Sequence, residues 1–140
     1  DNETREKMLA RDESIIRNRI DVMQQSKLTA FPGTRIFHQL KNENRIIYTD
    51  YPRDWEKYDF YELTHIPLGM KREEFIRYFR QCVSKTYSLP VIWMKGMRTL
   101  LHTRNFETAA GSMRANFSYR ALSFYHMRKQ RQQETPPDGQ

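Results

Sequence analysis

The sequence predicts an α+β chain that is mainly helical, with one short strand near its start and a series of helices after residue 70. Three observations carry this expectation. Phe75, Ile76, Phe79, Cys82, Val83 and Tyr87 recur at the 3.6-residue spacing of an amphipathic helix. Residues 20–28 instead alternate roughly around β-branched Val22, over a length that suits a strand. Between these stretches, Pro32-Gly33 ahead of Thr34 reads as a tight turn that opens a capped helix.

Taken in order, residues 3–18 place Met8, Ile15 and Ile16 among charges without Pro or Gly, which predicts a helix with a thin apolar stripe. The strand over 20–28 follows. Pro32 biases Phe31 toward extended backbone and Gly33 tolerates positive φ, so residues 29–34 suit a type II turn. Thr34 then caps a helix through Ile36, Phe37 and Leu40 to about residue 43, with Asn44 as its left-handed stop. Residues 45–49 form a short extended piece around Ile46, Ile47 and Tyr48. Residues 50–61, rich in Asp, Pro, Tyr and Trp, are too polar for a core helix and too aromatic for a linker, and predict an ordered loop. Leu63, His65 and Ile66 lead into a second break at Pro67 and Gly69. Three helices follow: residues 73–87, one opening near Pro90 and carrying Trp93, Met97, Leu100 and Leu101, and one capped by Asn105 that carries Phe106, Met113, Phe117, Ala121, Phe124 and Met127. Residues 132–140 have no means of burying themselves and predict a disordered tail. The organisation expected is therefore 1–49, 50–70, 71–131 and the tail 132–140.

With 140 residues the chain is long enough for one domain with a core, and eight Phe, eight Tyr and two Trp supply large apolar area despite a hydrophobic fraction of 38%. The single cysteine, Cys82, excludes an internal disulfide and favours a reduced, cytoplasmic setting. No apolar run approaches the ~18 residues of a membrane span, and the charged stretch from Asp1 to Lys7 lacks the apolar core of a signal peptide. The net charge of +7 is uneven: residues 1–70 carry a net −1 and residues 71–131 a net +10. Such a basic segment suits nucleic acid, anionic lipid, an acidic neighbouring domain, or simply a solvated helical face.

Chemistry-bearing motifs are sparse. The Pro-Gly turn places backbone amides at a helix start, a geometry suited to anions or polar cofactor atoms, but no Gly-rich phosphate loop accompanies it. His38, His65, His102 and His126 fall on separate elements without metal spacing, so no metal ligands are assigned. Only His65, beside a turn, is placed to aim into a cleft, and a hydrogen-bonded packing role is the simpler account. Glu73 and Glu74 are explained by the helix dipole; Asp54, Glu56 and Asp59 lack a neighbouring nucleophile; Cys82 lies on an apolar stripe. No catalytic residue is assigned. Arg114, Phe117, Tyr119, Arg120, Phe124, Tyr125 and Arg128 interleave charge with rings as nucleic-acid binders do, although the Phe spacing matches a helix core.

Leu28-Thr29-Ala30-Phe31-Pro32-Gly33-Thr34-Arg35-Ile36-Phe37, then Leu40-Lys41-Asn42-Glu43-Asn44-Arg45-Ile46, then Asp54-Trp55-Glu56-Lys57-Tyr58-Asp59 with His65 and Pro67, resembles the carboxy-terminal region of radical S-adenosylmethionine proteins that carry a cobalamin-binding domain. That family includes methyltransferases and the anaerobic magnesium-protoporphyrin IX monomethyl ester oxidative cyclase. The resemblance covers about residues 15–90, with Ala30 where Pro is commoner. It implies that residues 1–49 are the last strand and helix of a partial (β/α) radical-SAM barrel and that 71–131 are a carboxy-terminal helical region. It also implies that Phe31, Pro32, Gly33 and Thr34 lie near the cofactor, and that Trp55, Tyr58 and His65 line or brace a substrate pocket. The parent enzyme would use S-adenosylmethionine, a 4Fe-4S cluster and cobalamin. None of these is expected to bind this chain alone, because the Cys-x-x-x-Cys-x-x-Cys motif and the cobalamin domain are absent from these residues.

The expected partners are accordingly the amino-terminal remainder of such an enzyme, its small-molecule substrate, and a second copy paired through the exposed strand edge. A standalone basic helical module that binds nucleic acid or a protein partner is the alternative.

Overall fold

The structure, a computed structural model, describes residues 3–18 and 20–134. Its regular elements are α1 (Arg5–Arg17), α2 (Arg35–Asn42), a 3-10 turn (Trp55–Lys57), α3 (Arg72–Thr86), α4 (Leu89–Thr103) and α5 (Phe106–Glu134). No strand or sheet forms among the described residues, where the only β pairing is an isolated antiparallel bridge between Ile46 and His65. The α+β class and the barrel strand expected over residues 20–28 are thereby corrected: the regular structure of the described residues is all-helical.

The physical reason lies in where the backbone of that segment finds its partners. The Met23 carbonyl accepts from the Tyr87 hydroxyl, and the Gln25 amide donates back to that hydroxyl at 3.2 Å. The Asp21 carbonyl accepts from Asn116 Nδ2 at 2.7 Å. The Lys27 amide donates to the Phe60 carbonyl, and the Ala30 amide to Thr64 Oγ1. Side chains and loop carbonyls thus take the place of a neighbouring strand. An expected dimer through the strand edge loses its basis with the strand.

The described residues form two compact units. One comprises residues 3–5 and 26–76. The other comprises residues 6–18, 20–25 and 77–134, so α1 groups with the carboxy-terminal helices and not with the Pro-Gly turn that follows it in sequence.

In the first unit, Thr34 caps α2: its Oγ1 accepts from the Phe37 amide at 3.3 Å and donates to the Phe31 carbonyl at 2.6 Å. Asn44 ends the helix region at φ 55°. Arg45, which directly follows, is almost wholly buried and donates from Nε and Nη2 to the Ile66 carbonyl while Nη1 pairs with Glu43 at 2.8 Å. With the backbone bonds Ile47 N to Thr64 O and Ile66 N to Arg45 O, this ties residues 45–47 to 64–66. Ala30, Leu40, Leu63 and Thr64 are buried around that tie.

In the second unit, α4 and α5 form a helical hairpin. Gly96 faces Met113 and Lys95 faces Asn116, so one number rises as the other falls, the mark of antiparallel packing. Ser88 precedes α4 as its N-cap residue, with Pro90 in the first turn, and Asn105 Oδ1 accepts from the Thr108 amide to start α5. Arg104 turns the corner at φ 52°. Buried Asp12 of α1 accepts from Thr86 and Gln25, and Cys82 packs against the Met8 carbonyl. Of the expected tail, residues 132–134 are the end of α5, and residues 135–140 lie outside the described residues.

Candidate functional site

The first unit carries an open recess of about 180 Å³. Pro32, Phe37 and Lys41 contribute one side of it, from the Pro-Gly turn and α2. Tyr48, Thr49, Tyr51, Asp54, Trp55 and Tyr58 contribute the other, from the aromatic loop. It is small beside the roughly 300–1,000 Å³ of pockets for drug-sized ligands.

The turn behaves as its residues dictate. The Thr34 amide donates to the Phe31 carbonyl at 3.1 Å across Pro32 and Gly33, and Gly33 sits at φ 85°, the left-handed position that a type II turn requires. Phe31 packs edge-on against Phe60 at 5.1 Å and tilts toward Tyr58 at 6.3 Å between ring centroids. Turn and aromatic loop therefore meet through rings.

Hydrogen bonds hold the loop in shape. Asp54 Oδ2 accepts from the Asp50 amide at 2.9 Å, and Oδ1 pairs with Lys57 Nζ at 2.8 Å. The Lys57 bond, followed by the Asp50 amide, holds the Asp54 carboxyl below its ordinary range. The Tyr58 hydroxyl donates to the Tyr48 carbonyl at 2.7 Å, and burial pushes its pKa up. Tyr48 is driven to about 12, first by burial and then by the Glu62 charge. Its hydroxyl bonds Glu62, which also pairs with Arg72 at 3.1 Å. None of these phenols is an ionised base near neutrality. Lys57 Nζ additionally lies 4.2 Å from the Tyr48 ring centroid, a cation–π contact.

Of the residues singled out in the sequence, Pro32, Trp55 and Tyr58 come together on the recess. Phe31 backs it through its contact with Tyr58; Gly33 and Thr34 shape the turn and are exposed. His65 stands apart: it is only 4% exposed, bridged to Ile46, and does not line the recess. Burial, and then the Arg45 charge, push its pKa down to about 4, so it is a neutral packing residue near neutral pH. Lys41, Tyr48, Thr49 and Tyr51 carry no individual signal in the sequence; the density of Tyr and Trp between residues 48 and 58 is the one available.

No family model, curated protein or solved structure matches this chain.

The residues present do not fit an iron-sulfur cluster. Cys82 is one buried thiol whose pKa is raised by burial, on the core face of α3 in the other unit. Among the described residues no three His, Cys, Asp or Glu side chains converge as metal ligands. Nor is any described helix long and apolar enough to cross a membrane.

Proposed function

We propose that this chain is the carboxy-terminal region of a cobalamin-dependent radical S-adenosylmethionine enzyme of the methyltransferase or oxidative cyclase type, supplying part of a substrate-facing surface and no catalysis of its own. One observation carries the reading most: Pro32, Trp55 and Tyr58, from two of the stretches that hold the resemblance, line the same recess although Pro32 and Trp55 stand more than twenty positions apart. Ala30, where that family more often has Pro, is fully buried, so the departure falls on packing and leaves the turn intact.

Within such an enzyme the roles of these residues are binding and shape. Tyr51 and Trp55 offer exposed ring surface, Tyr58 and Asp54 fix the loop, and the Phe31–Thr34 turn presents Gly33 to solvent, where a polar cofactor atom could approach the backbone closely. Ile20, Val22 and Leu28 are each about 40% exposed or more, apolar surface for the amino-terminal remainder to cover. S-adenosylmethionine, the 4Fe-4S cluster and cobalamin belong to that remainder.

The alternative of a nucleic-acid module is weakened at one of its key cations. Arg120 Nη1 donates to the Tyr87 carbonyl at 2.6 Å and its guanidinium lies 4.6 Å from the Phe124 ring centroid, so it serves internal packing.

The test is the reading frame and its activity. An upstream Cys-x-x-x-Cys-x-x-Cys motif and cobalamin domain are expected, and Trp55→Ala in the reconstituted parent should lower product yield while reductive cleavage of S-adenosylmethionine persists. A parent lacking the three cysteines would overturn the reading.

A further inference from the structure

We propose that the recess between α2 and the aromatic loop binds a single aromatic ring bearing a carboxylate, with Lys41 as the anion partner; this deepens the reading of the recess as a substrate-facing surface.

Ring surface comes first. Tyr51 is 72% exposed and Trp55 45% exposed, yet the two pack edge to face at 5.5 Å between centroids, and Trp55 leans on Tyr58 at 6.4 Å. Large rings held in place by one another and left open on one side suit a planar apolar ligand, since stacking costs them little further ordering. The volume takes one substituted ring, or the ring end of a longer substrate.

Charge then selects among rings. Asp54, the one carboxylate on the wall, is occupied by Lys57 and the Asp50 amide. The Tyr48 face already has the Lys57 ammonium over it. An incoming organic cation would have to displace that ammonium. Lys41, in the last turn of α2, lines the recess and has no ion pair or side-chain hydrogen bond to any described residue. The charge left for a ligand is therefore positive, and it stands beside rings.

The test uses the full chain carrying Trp93→Phe, so that emission reports Trp55 alone, titrated with phenylacetate, phenylacetamide and phenethylamine. Phenylacetate should bind roughly three- to fivefold more tightly than the amide, the upper part of the range of an exposed ion pair. Lys41→Gln should abolish that advantage, Lys41→Arg should keep it, and added salt should shrink it. Lys41→Met serves as a second neutral variant, with far-UV circular dichroism confirming that the helices persist. Equal binding of the three probes, preference for phenethylamine, no saturable response, or a phenylacetate preference that survives both neutral variants would each overturn the proposal. The radical-enzyme reading stands or falls separately, with the upstream cysteine motif.

Discussion

Thr34 illustrates how much one side chain decides. Its hydroxyl closes the turn by donating to Phe31 and starts α2 by accepting from Phe37. Thr34→Ala should lower the stability of the first unit by about 1 kcal/mol, the usual cost of a lost N-cap, measured by urea titration of Trp55 emission in the Trp93→Phe background. Gly96 poses the opposite problem, since a Cβ there would overlap Cγ and Sδ of Met113. In an exposed helix, Gly to Ala gains about 1 kcal/mol. Overpacking in a tight contact costs about 1–3 kcal/mol and should win here, because Met113 has to leave its place between the helices. Gly96→Ala is thus expected to destabilise by about 1 kcal/mol in chemical denaturation; a stabilised variant would show that the α4–α5 contact has room.

Among the elements, the segment over residues 21–25 shows most clearly how an extended run is held without a sheet. Tyr87, fully buried, uses its hydroxyl twice on that segment, toward Met23 and Gln25. Tyr87→Phe keeps the ring and removes both bonds, leaving a carbonyl and an amide to find other partners. The expected cost is about 1–3 kcal/mol, with faster amide exchange at Gln25 as the local readout. Unchanged exchange there would mean that the hydroxyl does not hold the segment. The helices themselves follow from their residues: α3 from its apolar spacing, α4 from Pro90 in the first turn, α5 from the Asn105 cap, and α2 from Thr34 and Asn44. The alternation over residues 20–28 was misleading because period-2 patterning fixes which way side chains point and says nothing about whether a second strand lies within hydrogen-bonding distance.

At the scale of the whole molecule, pH is the most direct probe. Folded His65 stays neutral down to about pH 4, whereas an unfolded histidine takes up its proton near 6.5. Between those values the unfolded state binds more protons, so stability falls as pH drops from 6.5 toward 4, by on the order of 3 kcal/mol. His65→Gln should flatten that slope in urea titrations followed through Trp55, which lies in the same unit; an unaltered slope would remove His65 as its cause. The recess was partly legible before folding, since Pro32, Trp55 and Tyr58 sit in recognisable motifs. Nothing in the sequence sets Lys41 apart from the other lysines, and for His65 it offers a cleft beside the simpler packing role without deciding between them, because neither burial nor distance is written along a chain.

Local features of this protein were settled by residues within one turn of each other: the type II turn at Pro32-Gly33, the caps at Thr34 and Asn105, and the apolar spacing of α3. What required the folded chain was every choice among distant partners. Backbone groups of residues 21–30 accept or donate to whatever neighbours come near, and here those are Tyr87, Asn116, Phe60 and Thr64, not another strand. Likewise α1 joins the carboxy-terminal helices because Asp12 and Met8 find Thr86 and Cys82 there. Such pairings depend on positions in space more than thirty residues away along the chain, which local propensity does not encode.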